Sequence, residues 1–177
     1  MVLVVHAHPY PRRSRATAAL LAALDGLGGT EVRRLYELYP DFDIDAAAEH
    51  AALGRARAVV LLHPLYWYSV PALLKHWFDA VLLTEFGAEG GGRAALEGKP
   101  CLWATTTGRG EYHEGGVHGY SFGAFAPPIE MTARYCGMRW QEPYVLHEDH
   151  AIDDAALRHA ASLFRARVAQ IGAVAAE

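Results

Sequence analysis

Three short stretches of this chain set chemically capable side chains next to one another. The first is His6-Ala7-His8-Pro9-Tyr10-Pro11-Arg12-Arg13-Ser14-Arg15, which runs from an apolar segment into a helical pattern. A helix start offers free N–H groups and a partial positive charge, so it suits a phosphate. Ser14 can cap that helix or give its hydroxyl to the anion, and His8 and Arg15 can add charge-assisted donors. The second is His63-Pro64-Leu65-Tyr66-Trp67-Tyr68-Ser69-Val70-Pro71. Three consecutive aromatics cannot all face one side, so some must line a cavity or a subunit contact, and a flat heteroaromatic ligand would match such a wall. The third is Thr105-Thr106-Thr107-Gly108-Arg109-Gly110-Glu111-Tyr112, continuing to His118. Its hydroxyls and glycines allow close backbone approach to a ligand.

Other constellations point elsewhere. No G-x-G-x-x-G follows the first apolar segment, so a dinucleotide fingerprint is absent. Gly92 to Lys99 mimics a triphosphate-binding loop, but its spacing is one residue too long and Pro100 follows the lysine. His147, Glu148, Asp149 and His150 combine metal-ligating side chains without helical i, i+4 spacing, and read as a solvated loop. No metal is expected. His6 reads as strand-end packing and His63 as support for the aromatic loop.

The elements that must hold these loops alternate. Continuous apolar runs at Val2–Val5, Ala58–Leu62 and Pro100–Thr106 read as strands covered on both faces. Glu31–Tyr36 and Pro143–Leu146 complete a set of five. Between them lie helical patterns: one from Ser14 through Leu20, Leu24 and Leu27, one over Asp45–Arg55, one over Val70–Leu83 and one within Phe122–Tyr135, where Pro127-Pro128 marks a start or a break. In the last, Asp153 caps a helix whose Leu157, Ala161, Phe164, Val168 and Ile171 share one face. Successive βα units imply a parallel sheet with helices on both faces, and ligands in such folds sit beyond the carboxyl ends of the strands. All three loops fall there.

The chain has 177 residues, 52% of them hydrophobic and 20% charged. It reads as a single domain over residues 1–177. A net charge of −4 gives no footprint for nucleic acid. No apolar run approaches the roughly 20 residues of a membrane helix, and the apolar N-terminus is too short for a signal peptide. Cys101 and Cys136 read as reduced core thiols, so a cytoplasmic setting is expected.

Taken together, Ala7-His8-Pro9 with Ser14, the segment Pro64 to Pro71, and Thr106-Thr107-Gly108 resemble the flavodoxin-fold NAD(P)H:quinone oxidoreductases. Leu35 to Asp45 and Tyr135-Cys136-Gly137 are similar, within that family, to the ancillary subunits of glutathione-gated potassium-efflux antiporters. The resemblance implies a flavodoxin-like α/β fold with a five-stranded parallel sheet in the order 2-1-3-4-5. It implies FMN as resident cofactor, with its phosphate on His8, Ser14, Arg15, Ala16 and Thr17. The flavin ring would lie against Leu65, Tyr66, Trp67 and Tyr68 and against Thr105, Thr106, Thr107 and Gly108. Family members carry a tyrosine and a histidine at the spacing of Tyr112 and His118, which makes Tyr112 a hydrogen-bond donor and His118 a source of a proton or positive charge. NADH or NADPH would be co-substrate in a ping-pong transfer, and a quinone-like molecule the acceptor. The resemblance further implies a homodimer, with the 84–99 loop and Phe86 crossing to the partner, and an antiporter partner that would hold the protein peripherally at the inner membrane. A regulatory FMN-binding subunit with little turnover and a reductase of azo or nitro compounds are the alternatives. Two departures stand out: Arg109 where the family carries glycine, and Thr17 where its antiporter branch carries asparagine.

Overall fold

The computed structural model describes residues 1–83, 94–108, 111–147 and 152–174. Arg109, Phe86, Glu148, Asp149 and His150 lie outside the described residues. In chain order the elements are β1 (Val2–His6), α1 (Arg15–Ala22), β2 (Thr30–Arg34), α2 (Leu35–Leu38), α3 (Ala46–Arg55), β3 (Ala58–Pro64), α4 (Ala72–Trp77), β4 (Pro100–Thr107), α5 (Pro127–Tyr135), β5 (Arg139–Trp140), β6 (Tyr144–His147) and α6 (Asp154–Val174). All strand pairings are parallel, and the order is β2-β1-β3-β4-β5, with β6 also on β4.

The predicted order therefore holds, with a sixth strand in place of a simple edge. β5 pairs with Pro100 and Cys101, and β6 with Ala104 to Thr107, so two short strands share one margin of the sheet. Pro143 accounts for the break, since it has no N–H to give to the ladder. Other boundaries also differ from the sequence reading. The second strand stops at Arg34, and Leu35-Tyr36 begin a single helical turn whose Leu35 is buried. The first helix ends at Ala22, and Leu24 and Leu27 follow in turns. The helix expected over Val70–Leu83 starts at Ala72 and continues as π-helical turns over Phe78–Leu83. The segment from Phe122 splits into a 3-10 turn over Phe122–Phe125 and then α5, with prolines in its first turn.

The sheet buries both faces. Leu3, Val5, Leu61, Cys101 and Trp103 pack with α3 to α5, while Val2, Val4, Val60, Leu102 and Ala104 pack with α1 and α6. The face of α6 carrying Leu157, Ala161, Phe164, Val168 and Ile171 is buried as its spacing predicts, and Asp153 accepts from the Ala156 N–H at 2.7 Å. Cys101 and Cys136 are buried and form no disulfide, and burial pushes the Cys101 thiol up to about 12. Such a thiol is inert at neutral pH.

Candidate active site

The carboxyl ends of β1, β3 and β4 lie side by side, because these strands are neighbours in register. One cleft of about 240 Å³ is lined by residues of all three loops: His8, Ser14, Pro64, Leu65, Tyr66, Thr106, Thr107 and Gly108, with Tyr10 and Arg13. The convergence of three separate loops on one space is what the strand-end rule requires of a ligand site.

The first loop forms its floor. Ser14 caps α1 and accepts from the Thr17 N–H at 3.1 Å, which leaves its own hydroxyl proton for another acceptor. Ala16 and Thr17 are buried, and Thr17 Oγ1 lies 3.1 Å from Thr106 Oγ1, tying α1 to β4. His8 is buried, and its Nδ1 accepts from the Tyr10 N–H at 2.9 Å. Burial lowers its pKa, so the ring is neutral with its proton on Nε2, a donor. The Arg15 guanidinium is instead engaged by Asp154 at 2.6 Å, out on the surface, so only the backbone of Arg15 faces the helix start.

The second loop is a tight two-residue turn. Tyr66 and Ser69 exchange both backbone hydrogen bonds at 3.0 Å, a pairing that does not use the Trp67 and Tyr68 amides. Both central residues are left-handed, with φ of 50° at Trp67 and 62° at Tyr68. Large side chains in that region cost roughly 1–2 kcal/mol each. Strain of this kind is retained at binding sites, where backbone position matters more than its energy. The Trp67 side chain is 92% exposed, so packing in this protomer does not explain it. The loop is anchored from below. His63 is fully buried, hydrogen-bonds the Pro64 carbonyl at 2.9 Å through Nδ1, and accepts from Trp103 Nε1 at 2.7 Å through Nε2. Burial drives its pKa down to about 4, so it is a neutral strut at neutral pH.

The third loop gives the cleft Thr106, Thr107 and Gly108, while Tyr112 and His118 are not among its lining residues. Tyr112 stacks on His118 with ring centroids 3.9 Å apart and planes 9° off parallel. Tyr68 meets His118 edge-on and stacks on Phe125, which joins the second loop to the third. Burial raises the Tyr112 pKa, and a hydrogen bond from Thr107 pulls it the other way. Both ring nitrogens of His118, Oγ1 of Thr105 and Nε2 of His6 are buried with no hydrogen-bond partner among the described residues. Unpaired polar atoms of this kind are uncommon and point to a missing partner.

His147 is the residue that sequence reasoning set aside. Its Nδ1 lies 2.8 Å from Thr107 Oγ1, and its ring stacks on Tyr112 at 5.6 Å. Its position at the end of a strand was the available signal. Among the described residues no group of three or more histidine, cysteine, aspartate or glutamate side chains could hold a metal.

The matching family model, described as a flavodoxin-like fold, covers residues 1–168. The chain belongs to this flavodoxin-like family. It is 47% identical over 168 residues to the glutathione-regulated potassium-efflux system ancillary protein KefF of Klebsiella pneumoniae strain 342, spanning 95% of this chain and 94% of that protein. Among solved structures, general stress protein 14 of Treponema denticola, in complex with FMN, is 30% identical with a TM-score of 0.86, covering 96% of this chain and 98% of that one. An NADPH-quinone reductase from P. pentosaceus is 26% identical with a TM-score of 0.84, covering 95% and 97%.

Proposed function

We propose that the protein is an FMN-dependent NAD(P)H:quinone oxidoreductase. What supports this reading most is the single cleft formed by the three strand-end loops, taken with relatives described as a KefF ancillary protein, an FMN complex and a quinone reductase. The donor set suits FMN. Ser14, the neutral His8 and the amides at the start of α1 would hold the phosphate. The strained turn at Trp67-Tyr68 and the Thr105–Gly108 backbone would hold the ring, with the unpaired Thr105 hydroxyl beside it. FMN held there would supply hydride transfer between NADH or NADPH and the acceptor, in a ping-pong sequence. The protein orients both substrates and supplies proton and charge. Tyr112 donates to oxygen where negative charge develops, and His118 stacks on it with both ring nitrogens buried and without a partner among the described residues.

Reconstitution with FMN followed by turnover of NADH and NADPH against several quinones tests the reading. A yellow protein that reduces quinones is the expected result. A colourless protein after reconstitution overturns it. A yellow protein reducing only azo or nitro compounds reassigns the acceptor.

The similarity to KefF favours a second role, that of a regulatory subunit docked on a potassium-efflux antiporter. No helix among the described residues is long and apolar enough to cross a membrane, so such docking would be peripheral. A homodimer belongs to the same proposal. A larger hollow of about 350 Å³ lies away from the chemistry, between α4 and α5, and its lining is mainly apolar: Phe78, Leu82, Leu83, Met131 and Tyr135, with Leu83 and Met131 strongly exposed. Isolated apolar residues are ordinary at surfaces, but a contiguous patch suits a subunit contact. Light scattering at rising concentration tests it, and a monomer throughout counts against the dimer.

A further inference from the structure

His147 stands outside the cleft but is bonded to one of its walls. Thr107 lines the cleft and is 3% exposed. Its Oγ1 lies 2.8 Å from Nδ1 of His147. Strand register produces the bond. Thr107 and His147 are Cα partners on β4 and β6, so their side chains leave the same face of the sheet. His147 is exposed, yet two further rings hold it: it stacks on Tyr112 with centroids 5.6 Å apart and meets Phe122 edge-on at 5.8 Å.

A threonine side chain is stiff about its Cα–Cβ bond, but its hydroxyl proton turns until a partner fixes it. Burial lowers the pKa of His147, so the ring is neutral at neutral pH. Its Nδ1 is then either a donor or an acceptor, and the Thr107 hydroxyl takes the complementary role. With either tautomer the direction of that hydroxyl is set from outside the cleft. A wall residue oriented before its ligand arrives loses less freedom on binding.

We propose that His147 is a positioning residue of the cofactor site: it fixes the Thr107 hydroxyl for FMN, and so brings the end of β6 into a site otherwise built on the ends of β1, β3 and β4. The inference rests on the FMN reading of the cleft and deepens it. His147 is not among the lining residues, so it acts through Thr107.

A double-mutant cycle on the FMN affinity of the flavin-free protein, read from flavin fluorescence on titration, separates positioning from packing. His147→Phe keeps a ring against Tyr112 and Phe122 but has no nitrogen. His147→Asn can place an amide nitrogen or oxygen where Nδ1 stands. Thr107→Val removes the hydroxyl at nearly constant shape. The expected result for His147→Phe is a weakening of FMN binding by about 3- to 10-fold, the effect of one neutral hydrogen bond. His147→Asn should stay close to wild type. Thr107→Val should lose at least as much as His147→Phe, and adding His147→Phe to it should cost nothing more, because residues that act as a unit are not additive. Additive losses, an unchanged affinity in His147→Phe, or a fall in His147→Asn as large as that in His147→Phe overturns the proposal. A second measurement needs only wild type and Thr107→Val, and so holds even where His147→Phe fails to fold. In NMR of nitrogen-labelled histidine in the flavin-free protein, Thr107→Val should shift the Nδ1 resonance of His147, and an unmoved resonance overturns the bond on which the proposal stands. A wild-type protein that takes up no flavin overturns the proposed function and the cofactor side of this inference together, while the nitrogen shifts report on the His147–Thr107 bond separately.

Discussion

Two sets of buried polar groups in this molecule have opposite characters. On α3, Glu49 is 0% exposed and both of its oxygens are bonded: Arg33 Nε donates at 2.7 Å, Tyr39 Oη at 2.6 Å and Trp77 Nε1 at 3.0 Å. At the strand ends, Thr105, His118 and His6 hold buried polar atoms without partners among the described residues. The first cluster joins β2, α3 and α4 and is complete in the chain alone. The second is left open among the described residues. Satisfaction of hydrogen bonds, rather than burial or polarity, separates a structural polar cluster from a binding one.

The largest test of this contrast is Glu49→Ala. It strands the Arg33 charge and the Trp77 and Tyr39 donors, and should cost about 3–5 kcal/mol in urea unfolding. FMN affinity of the folded fraction should be unchanged. A cost near zero would mean that the cluster is not the anchor its bonds describe.

The next effect is set by pH. His63 has its pKa depressed to about 4 against 6.5 unfolded, so the unfolded chain binds the extra proton between these values. Its contribution is full above pH 6.5 and is lost as the pH falls to about 4, at about 1.4 kcal/mol per pH unit. His6, depressed to about 3, adds to the same slope. Unfolding measured across this window should steepen accordingly, and His63→Gln should flatten it. An equal slope in that variant would assign the pH dependence elsewhere.

Thr105→Val should go the other way from Glu49→Ala. Removing an unpaired buried hydroxyl relieves part of its desolvation cost, so the flavin-free protein should gain about 1 kcal/mol while FMN binding weakens. A loss of stability in thermal unfolding would show that Thr105 has a partner after all. The smallest effect belongs to Trp67→Gly, which relieves a left-handed backbone while discarding little packing. A gain of up to about 1 kcal/mol is expected from calorimetry, and a loss would show that the turn is not strained.

Much of the fold was legible because it depends on local pattern. The five strand runs, the spacing along α6 and the caps at Ser14 and Asp153 are short-range signals, and all appear in the structure. The three strand-end loops were legible for the same reason. What was not legible needs distance. Arg15 meets Asp154 from 139 residues away. The left-handed turn at Trp67-Tyr68 carries neither glycine nor asparagine to announce it. His147 looked like part of a solvated acidic loop, because only the pairing of β6 with β4 brings it opposite Thr107. Leu35-Tyr36 read as strand on their residue types, until burial of Leu35 against the core made a helical turn the better use of them.

The broken margin formed by β5 and β6 has a further consequence. An open sheet edge is a template on which another chain can lay down a strand, the first step toward aggregation. Here one margin offers only a two-residue and a four-residue stretch, separated by Gln141 to Pro143. The opposite margin, β2, carries Glu31, Arg33 and Arg34 within five residues. One edge is too short to copy and the other too charged to approach, so the protein is expected to remain colloidally stable when concentrated.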